Sequence, residues 1–391
     1  MKELRLLRRI LKRPRRYARA RRGAPPLRRL APAAWLAAPL LAALLLPLAV
    51  VPQRGDSQPQ PAPPAALPQA RATAAPVPQA PAAAEAPQPE VTVYLSQSGQ
   101  IETLPLEEYV SGVLAAEMPA DFELEALKAQ AVAARTFIAR RLLAGDHSGV
   151  PVPEADVSDT VSHQAYISKA ALERDWASAK GRAGLAKLKR AVLETRGMIM
   201  TYKGQPITAS FFASSGGYTE NSEEYWNAAV PYLRSVASPW ELEITPNLAA
   251  TYTFSIPELR SKLGLRARDL PVAANLAASG KTLPASNLSS AGLPAEVLSL
   301  TAGHRVKKIS IGGTVFTGRE VREKLGLRSS QFTWKRKAGK VQITTYGNGH
   351  GVGMSQWGAN GMAKQGKTAT QILKHYYSGV TFAGISTLLK K

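Results

Sequence analysis

One acidic side chain stands in an unusual place in the stretch LAAEMPADF (114–122). Glu117 ends an apolar, helix-like run, has Ala115, Ala116 and Met118 as neighbours, and precedes Pro119 by two positions. The C-terminal end of a helix carries partial negative charge, and these neighbours solvate a carboxylate poorly. Both effects favour the protonated form. A carboxyl group that keeps its proton near neutral pH is what a general acid needs to protonate a leaving oxygen. The alternative is an exposed helix-end glutamate with no task. Downstream, Lys128 and Arg135 are seven residues apart and so share a helix face. Folded back at the proline they can bind an anionic substrate or steady the carboxylate after proton loss, although two cations beside an acid lower its pKa. The competing reading is a solvated face with a Glu125–Lys128 pair.

Two further stretches hold polar chemistry. In FFASSGGYTENSEEYW (211–226) a Ser-Ser-Gly-Gly turn, including Ser215, precedes Tyr218, Thr219, Glu220, Asn221 and Glu224, groups suited to a sugar. The G-x-S-x-G elbow of serine hydrolases is missing from it. In YGNGHGVGMSQWGANGMA (346–363) His350 stands between glycines, whose bare backbone allows close approach of a ligand. No Gly-Lys-Ser/Thr follows, so it is not a phosphate loop. His163 in VSHQAY is isolated, and a lone histidine is more often structural than a metal ligand.

These residues need elements to hold them. VTVYLSQSGQIETLPL reads as a strand pair turning at Ser98-Gly99, and Leu106, Tyr109, Val110, Val113 and Leu114 recur at helical spacing up to the stop at Pro119. A second, alanine-rich helix starts with Asp121 as N-cap and ends near Gly145. MIMTYKGQPITASFFASS suggests two strands about Lys203-Gly204, and VKKISIGGTVFTG a hairpin about Gly312-Gly313. KLGLR occurs at 262–266 and again at 324–328, each time on a helix-like run, and 267–300 reads as a surface excursion. Thr368 and Gln371 form a capping box, with Gly379 as the stop. The class is α+β: a mixed helix/sheet domain over 91–391 with a helix–Pro–helix corner at Glu117.

Composition organises the remainder. Residues 1–30 carry 13 Lys/Arg and one acid, +12 of the formal +22, and 31–52 contain no charge over 22 positions. About 20 apolar residues cross a bilayer, and the basic flank stays cytoplasmic by the positive-inside rule. This reads as a transmembrane anchor behind a basic cytoplasmic segment, with the rest of the chain outside the membrane. A cleaved signal peptide is the competing reading, but its apolar core is shorter, about 7–15 residues. Topology also accounts for the basic residues better than nucleic acid does. Residues 53–90, dominated by Pro, Ala and Gln, form a tether that cannot bury a core. The chain has no cysteine, which removes disulfides and thiolate chemistry together.

With LPLEEYVSGVLAAEMPADFELEALKAQAVAARTF, FFASSGGYTENSEEYW followed by PYLRSVASPW, FTGREVREKLGLRSSQF and GNGHGVGMSQWGANGMAKQGKTATQILKHYYSGV in this order, the chain resembles the stage II sporulation protein D family, membrane-anchored peptidoglycan-cleaving enzymes of endospore formers. The resemblance runs from about residue 91 to 385. It implies an endolytic cut in glycan strands between N-acetylmuramic acid and N-acetylglucosamine, with Glu117 as catalytic acid and basic residues at Lys128 and Arg135. It places substrate binding at Tyr202, Thr219 and Tyr232. It also implies a preference for strands stripped of stem peptides, and two partners during forespore engulfment: an amidase and a polytopic membrane protein. Some relatives hold zinc with a cysteine a few residues before the histidine matching His163. Here that run is VSDTVS, without the cysteine such a zinc site uses, and no cofactor is expected.

Hydrolytic glycosidases ordinarily set two carboxylates across the scissile bond. The corner offers one, which favours a lytic transglycosylase forming a 1,6-anhydro end without water; Glu220, Glu224 and Asp159 remain candidate second carboxylates. The +10 carried by residues 31–391 suits an anionic wall polymer. Two rivals keep the resemblance without the catalysis: a wall-binding enhancer of an amidase, and a structural protein of the engulfing membrane.

Overall fold

The computed structural model describes residues 88–265 and 293–389. The basic segment 1–30, the apolar run 31–52, the stretch 53–90 up to residue 87 and most of the excursion 267–300 lie outside the described residues. Among the described residues no helix is long and apolar enough to cross a membrane.

The strand pair forms as its alternation suggests. β1 (Glu90–Leu95) and β2 (Gln100–Pro105) are antiparallel, with Val91 opposite Leu104, and Gly99 turns between them at φ 71°. α1 (Leu106–Glu117) follows directly and buries Leu106, Tyr109, Val110, Val113 and Leu114, the face that the 3.6-residue spacing marks. It ends where Met118 becomes extended (φ −130°, ψ 139°) ahead of Pro119, as a residue before proline prefers. α2 (Leu124–Ala144) starts later than the sequence suggests. Glu123, not Asp121, is at the N-cap, and no side chain caps the helix. The Glu123 N–H instead donates to Asn360 Oδ1 at 2.8 Å, so a distant residue supplies the acceptor. Gly145 closes α2 in the left-handed conformation.

β3 (Val157–Ser158) pairs in parallel with β1. α3 (Lys169–Asp175) and α4 (Ala179–Glu194), capped by the Ser168 and Ser178 hydroxyls, lead to β4 (Met198–Tyr202) and β5 (Gln205–Pro206), which turn at Lys203-Gly204. β6 (Phe211–Phe212) and the single turn α5 (Glu223–Trp226) follow.

A second core is built by β7 (Ala249–Ser255), α6 (Ile256–Leu263), β8 (Ala295–Leu300), β9 (Val306–Ile311), β10 (Thr314–Thr317), α7 (Gly318–Leu325), β11 (Phe332–Lys337) and β12 (Lys340–Tyr346). It holds two antiparallel sheets, ordered β8-β9-β10 and β7-β12-β11. The two KLGLR runs end α6 and α7, which pack on each other, and Gly264 and Gly326 stop them at left-handed φ. The end of the expected excursion is different: 295–300 form β8, paired with β9 through bulges. Its exposed face mixes Glu296, Val297 and Leu298, so no clean alternation announces a strand.

The chain then returns to the first core. β13 (Met354–Ser355) lies parallel to β6, and α8 (Gln356–Lys364), α9 (Ala369–Tyr376), β14 (Thr381–Gly384) and α10 (Ile385–Leu389) complete it. α9 opens with the Thr368/Gln371 capping box and ends at Tyr376, before Gly379. α2 runs through the middle of this core, against α1, α4, α8, α9 and β4. Its alanines, among them Ala126, Ala129, Ala133 and Ala134, are fully buried and let five neighbours approach. The result is a mixture of helices and several small, mostly antiparallel sheets.

Candidate active site

α1 ends at one wall of a cleft of about 510 Å³, within the range of small-ligand sites. Glu117 lines it together with Gln164, Phe137, Trp226, Arg322, His350 and Gln356. Both carboxyl oxygens are held. The Ala165 N–H donates to Oε1 at 3.1 Å, and Gln356 Nε2, from the first turn of α8, donates to Oε2 at 3.2 Å. Burial raises the Glu117 pKa, and these two donors, which favour the charged form, only partly offset it. No cation contributes to the shift. Among the described residues that line the cleft, Glu117 is the single carboxylate.

The opposite wall is made by the two motifs singled out in the sequence, which pair with each other. β6 lies beside β13, Ser214 bridges Asn348, and Glu220 bridges Val352. Gly349, at φ 116°, passes so close to Phe212 that an added Cβ would lie 2.8 Å from the Phe212 Cβ, which only glycine avoids. His350 is thereby seated among Phe212, Tyr225 and Trp226, with ring centroids 5.3–5.8 Å away. Its Nε2–H donates to the Phe211 carbonyl (3.1 Å) and its Nδ1 accepts the Val352 N–H (3.1 Å), which defines one neutral tautomer. Burial, helped by the charges of Arg322 and Arg305, lowers its pKa to about 4. Trp226, 38 % exposed, presents a flat apolar surface to the cleft.

Gln164 is almost fully buried on the Glu117 side of the cleft. Its Oε1 accepts the Tyr109 hydroxyl at 3.1 Å, which leaves Nε2 with no acceptor among the described residues. Behind the wall, the buried Glu241 carboxylate accepts from the Ser215 N–H and hydroxyl and from the Ser238 and Ser355 hydroxyls (2.8 Å each). It thus ties together the Ser-Ser-Gly-Gly turn, the turn after Ser238 and the start of α8. Four donors satisfy a buried carboxylate without a cation.

The other expected residues are distributed differently. Arg135 has no exposed surface: it makes a bidentate pair with Glu107 (Nε 3.0 and 3.1 Å, Nη2 2.6 Å) and also donates to the Met198 and Val192 carbonyls. Sealed between α1, α2, α4 and β4, it cannot touch a polymer, so the expectation of substrate binding gives way to a structural role. Lys128 pairs with Glu125 (2.7 Å) and Glu194 (3.0 Å), so the solvated-pair reading describes it. Neither cation lines the cleft. Ser215 and Thr219 are also fully buried, Ser215 on Glu241 and Thr219 Oγ1 on the Arg234 and Val236 carbonyls, so their hydroxyls are already used. Tyr202 and Tyr232 do not line the cleft; their rings meet at a tilt, centroids 5.3 Å apart, and the Tyr232 hydroxyl accepts the N–H of Thr208, a lining residue.

The candidate second carboxylates also lie elsewhere. Glu220 is buried against Thr301, Asn221 and Gly303, Glu224 pairs with Lys307 (2.8 Å), and Asp159 accepts the Ser96 N–H (3.0 Å). His163 does line the cleft, but its Nδ1 accepts from Ser158 and its Nε2 reaches the Ser148 carbonyl (3.1 Å). Among the described residues no three His, Cys, Asp or Glu converge. Sequence reasoning missed Gln356, Gln164, Trp226, Arg322 and Glu241. Gln356, Gln164, Trp226 and Arg322 stood in quoted stretches without being singled out, and Glu241 stood in none.

A stage II sporulation protein family model matches residues 94–202, which include Glu117. Stage II sporulation protein D of Bacillus amyloliquefaciens is 46% identical over 301 residues, 77% of this chain and 80% of that protein. The chain belongs to the stage II sporulation protein D family. Stage II sporulation protein D of Bacillus subtilis (strain 168) is 44% identical over 302 residues, 77% of this chain and 81% of that protein. The family likeness extends to a protein named amidase enhancer in B. subtilis, 32% identical over 305 residues, 70% of this chain and 40% of its own length.

Proposed function

We propose that this member of the family is a lytic transglycosylase that cuts peptide-free peptidoglycan strands between N-acetylmuramic acid and N-acetylglucosamine during forespore engulfment. The observation that carries this is Glu117, the single carboxyl group among the described residues lining the cleft, raised in pKa by burial and held by two donors. Protonated Glu117 gives its proton to the bridging oxygen as the bond from the muramyl anomeric carbon to that oxygen breaks. The resulting carboxylate takes the proton of the muramyl 6-hydroxyl while that oxygen bonds to the anomeric carbon. Glu117 ends as it began, and the product carries a 1,6-anhydro ring. No second carboxylate and no water are needed, in contrast to hydrolysis. Trp226 gives the sugar ring an apolar face to lie on.

The charge-free run 31–52 would hold this domain outside the cell membrane as a single-pass anchor, with residues 1–30 in the cytoplasm and 53–90 as tether. The partners would be an amidase that strips the strands first and a polytopic membrane protein. The test is the mass of fragments released from peptide-free strands by the full chain and by Glu117→Gln. Ends lighter by one water, absent with Glu117→Gln, are expected. Water-containing ends, or intact strands with the unaltered chain, overturn the reading.

The likeness to an amidase enhancer supports a second reading, a wall-binding protein that stimulates an amidase. In that case Glu117→Gln would stimulate a purified amidase as well as the unaltered chain does, and neither would shorten strands.

A further inference from the structure

Two arginines beside the cleft, Arg305 buried and Arg322 half-buried, keep guanidinium N–H groups without an acceptor. Arg305 is 2 % exposed, and its Nη1 donates to the Tyr218 (3.1 Å) and Gly303 (3.4 Å) carbonyls. Its Nε and Nη2, the two donors of one guanidinium edge, have no acceptor. The nearest carboxylate, Glu220, stands 4.0 Å away and is taken up by Thr301, Asn221 and Gly303. Gly351 makes room for this arrangement, because a Cβ there would strike the guanidinium.

Arg322, on α7, lines the Glu117 cleft itself. Its Nε is buried with no acceptor, and among the described residues no carboxylate pairs with it. Arg305 lines a neighbouring cleft, and His350 borders both. The two positive charges act on each other and on His350, which stays neutral and offers them no compensation. Buried N–H donors left without acceptors are costly, and here they stand beside the cleft that holds the acid.

We propose that Arg322 binds a carboxylate of the substrate at the edge of the Glu117 cleft, with the charge of Arg305 adding to its own, and that this carboxylate is the free lactyl group of a muramic acid residue. The planar fork of a guanidinium matches a carboxylate in geometry and charge. A strand that still carries stem peptides presents an amide at the same atom, without the charge and with bulk attached. Arg322 is then the residue that distinguishes stripped strands from unstripped ones. This rests on the glycan-cutting reading above.

The experiment uses the full chain and two substrates: peptide-free strands, and the same strands after carbodiimide coupling to methylamine, which converts each lactyl carboxylate to a neutral amide. For the unaltered chain KM is expected to be about tenfold lower on the carboxylate strands, the worth of one charge-assisted contact. Arg322→Met is expected to raise KM on the carboxylate strands to the value for the amidated ones, and Arg322→Lys to recover part of the difference. Equal KM on both substrates for the unaltered chain, or an undiminished preference in Arg322→Met, overturns the proposal.

Binding is read separately by calorimetry on Glu117→Gln, with N-acetylmuramic acid against N-acetylglucosamine, which lacks the lactyl group. Tighter binding of the former, lost in Glu117→Gln/Arg322→Met, supports the subsite even if no strand is cut, an outcome that sinks the enzymatic reading alone. Equal binding of the two sugars counts against the subsite whatever the cutting assay shows.

Discussion

Gln356 donates its amide to Oε2 of Glu117 at 3.2 Å across 239 residues of chain. The first turn of α8 therefore orients a carboxyl group set at the far end of α1. Because this donor favours the ionised form, it restrains the upward shift that burial imposes.

Removing that donor should move the acid further in the same direction. Gln356→Ala is expected to carry the alkaline limb of the pH–rate profile to higher pH, because an acid catalyst is lost only as its proton leaves. It should also lower kcat about tenfold through looser placement. A pH series of strand cutting reads both. An alkaline limb unmoved by the substitution would mean that Glu117 does not set it.

Glu117→Gln should abolish cutting by about 10²–10⁴-fold, the usual worth of a general acid. It should not weaken the fold. The folded-state pKa of Glu117 is raised, so its contribution to stability is complete at low pH and is lost as pH rises through that value. A neutral amide escapes the loss. Thermal melting at neutral pH should show Glu117→Gln at least as stable as the unaltered chain.

His350 has the opposite sign. Its folded pKa, about 4, lies below its ordinary 6.5, so the neutral ring is stabilising above 6.5 and stability falls as pH drops from there towards 4. The loss is at most about 3 kcal/mol. Denaturant melts at a series of pH values should show that slope flattened in His350→Gln.

Arg135→Met should destabilise by about 3–5 kcal/mol, because Glu107 is left with a charge and no cation. The double variant Glu107→Gln/Arg135→Met should recover much of this loss in urea unfolding. A lone Arg135→Met that unfolds normally but fails to bind strands would return Arg135 to the substrate.

The local elements were legible because their signals are local: the β1–β2 turn at Gly99, the inward face of α1, the Thr368/Gln371 capping box. Glu117 was legible too, since its apolar neighbours and the coming proline are adjacent in sequence. Arg135 was misread for an equally physical reason. α2 is alanine-rich on every side, so no apolar stripe tells which of its faces is inside, and a spacing of seven aligns Lys128 with Arg135 without saying what covers either. Glu241 and Arg322 give no sign at all in the sequence. One is defined by serines from three separate segments, the other by an absent partner.

The cleft draws its lining from positions between 117 and 356. A ribosome adding about 5–20 residues per second takes roughly ten seconds to almost a minute between making the acid and making the amide that aims it. Through that interval the growing chain carries Glu117 on a helix with no opposing wall. On the proposed reading, cutting waits until residue 356 has been made.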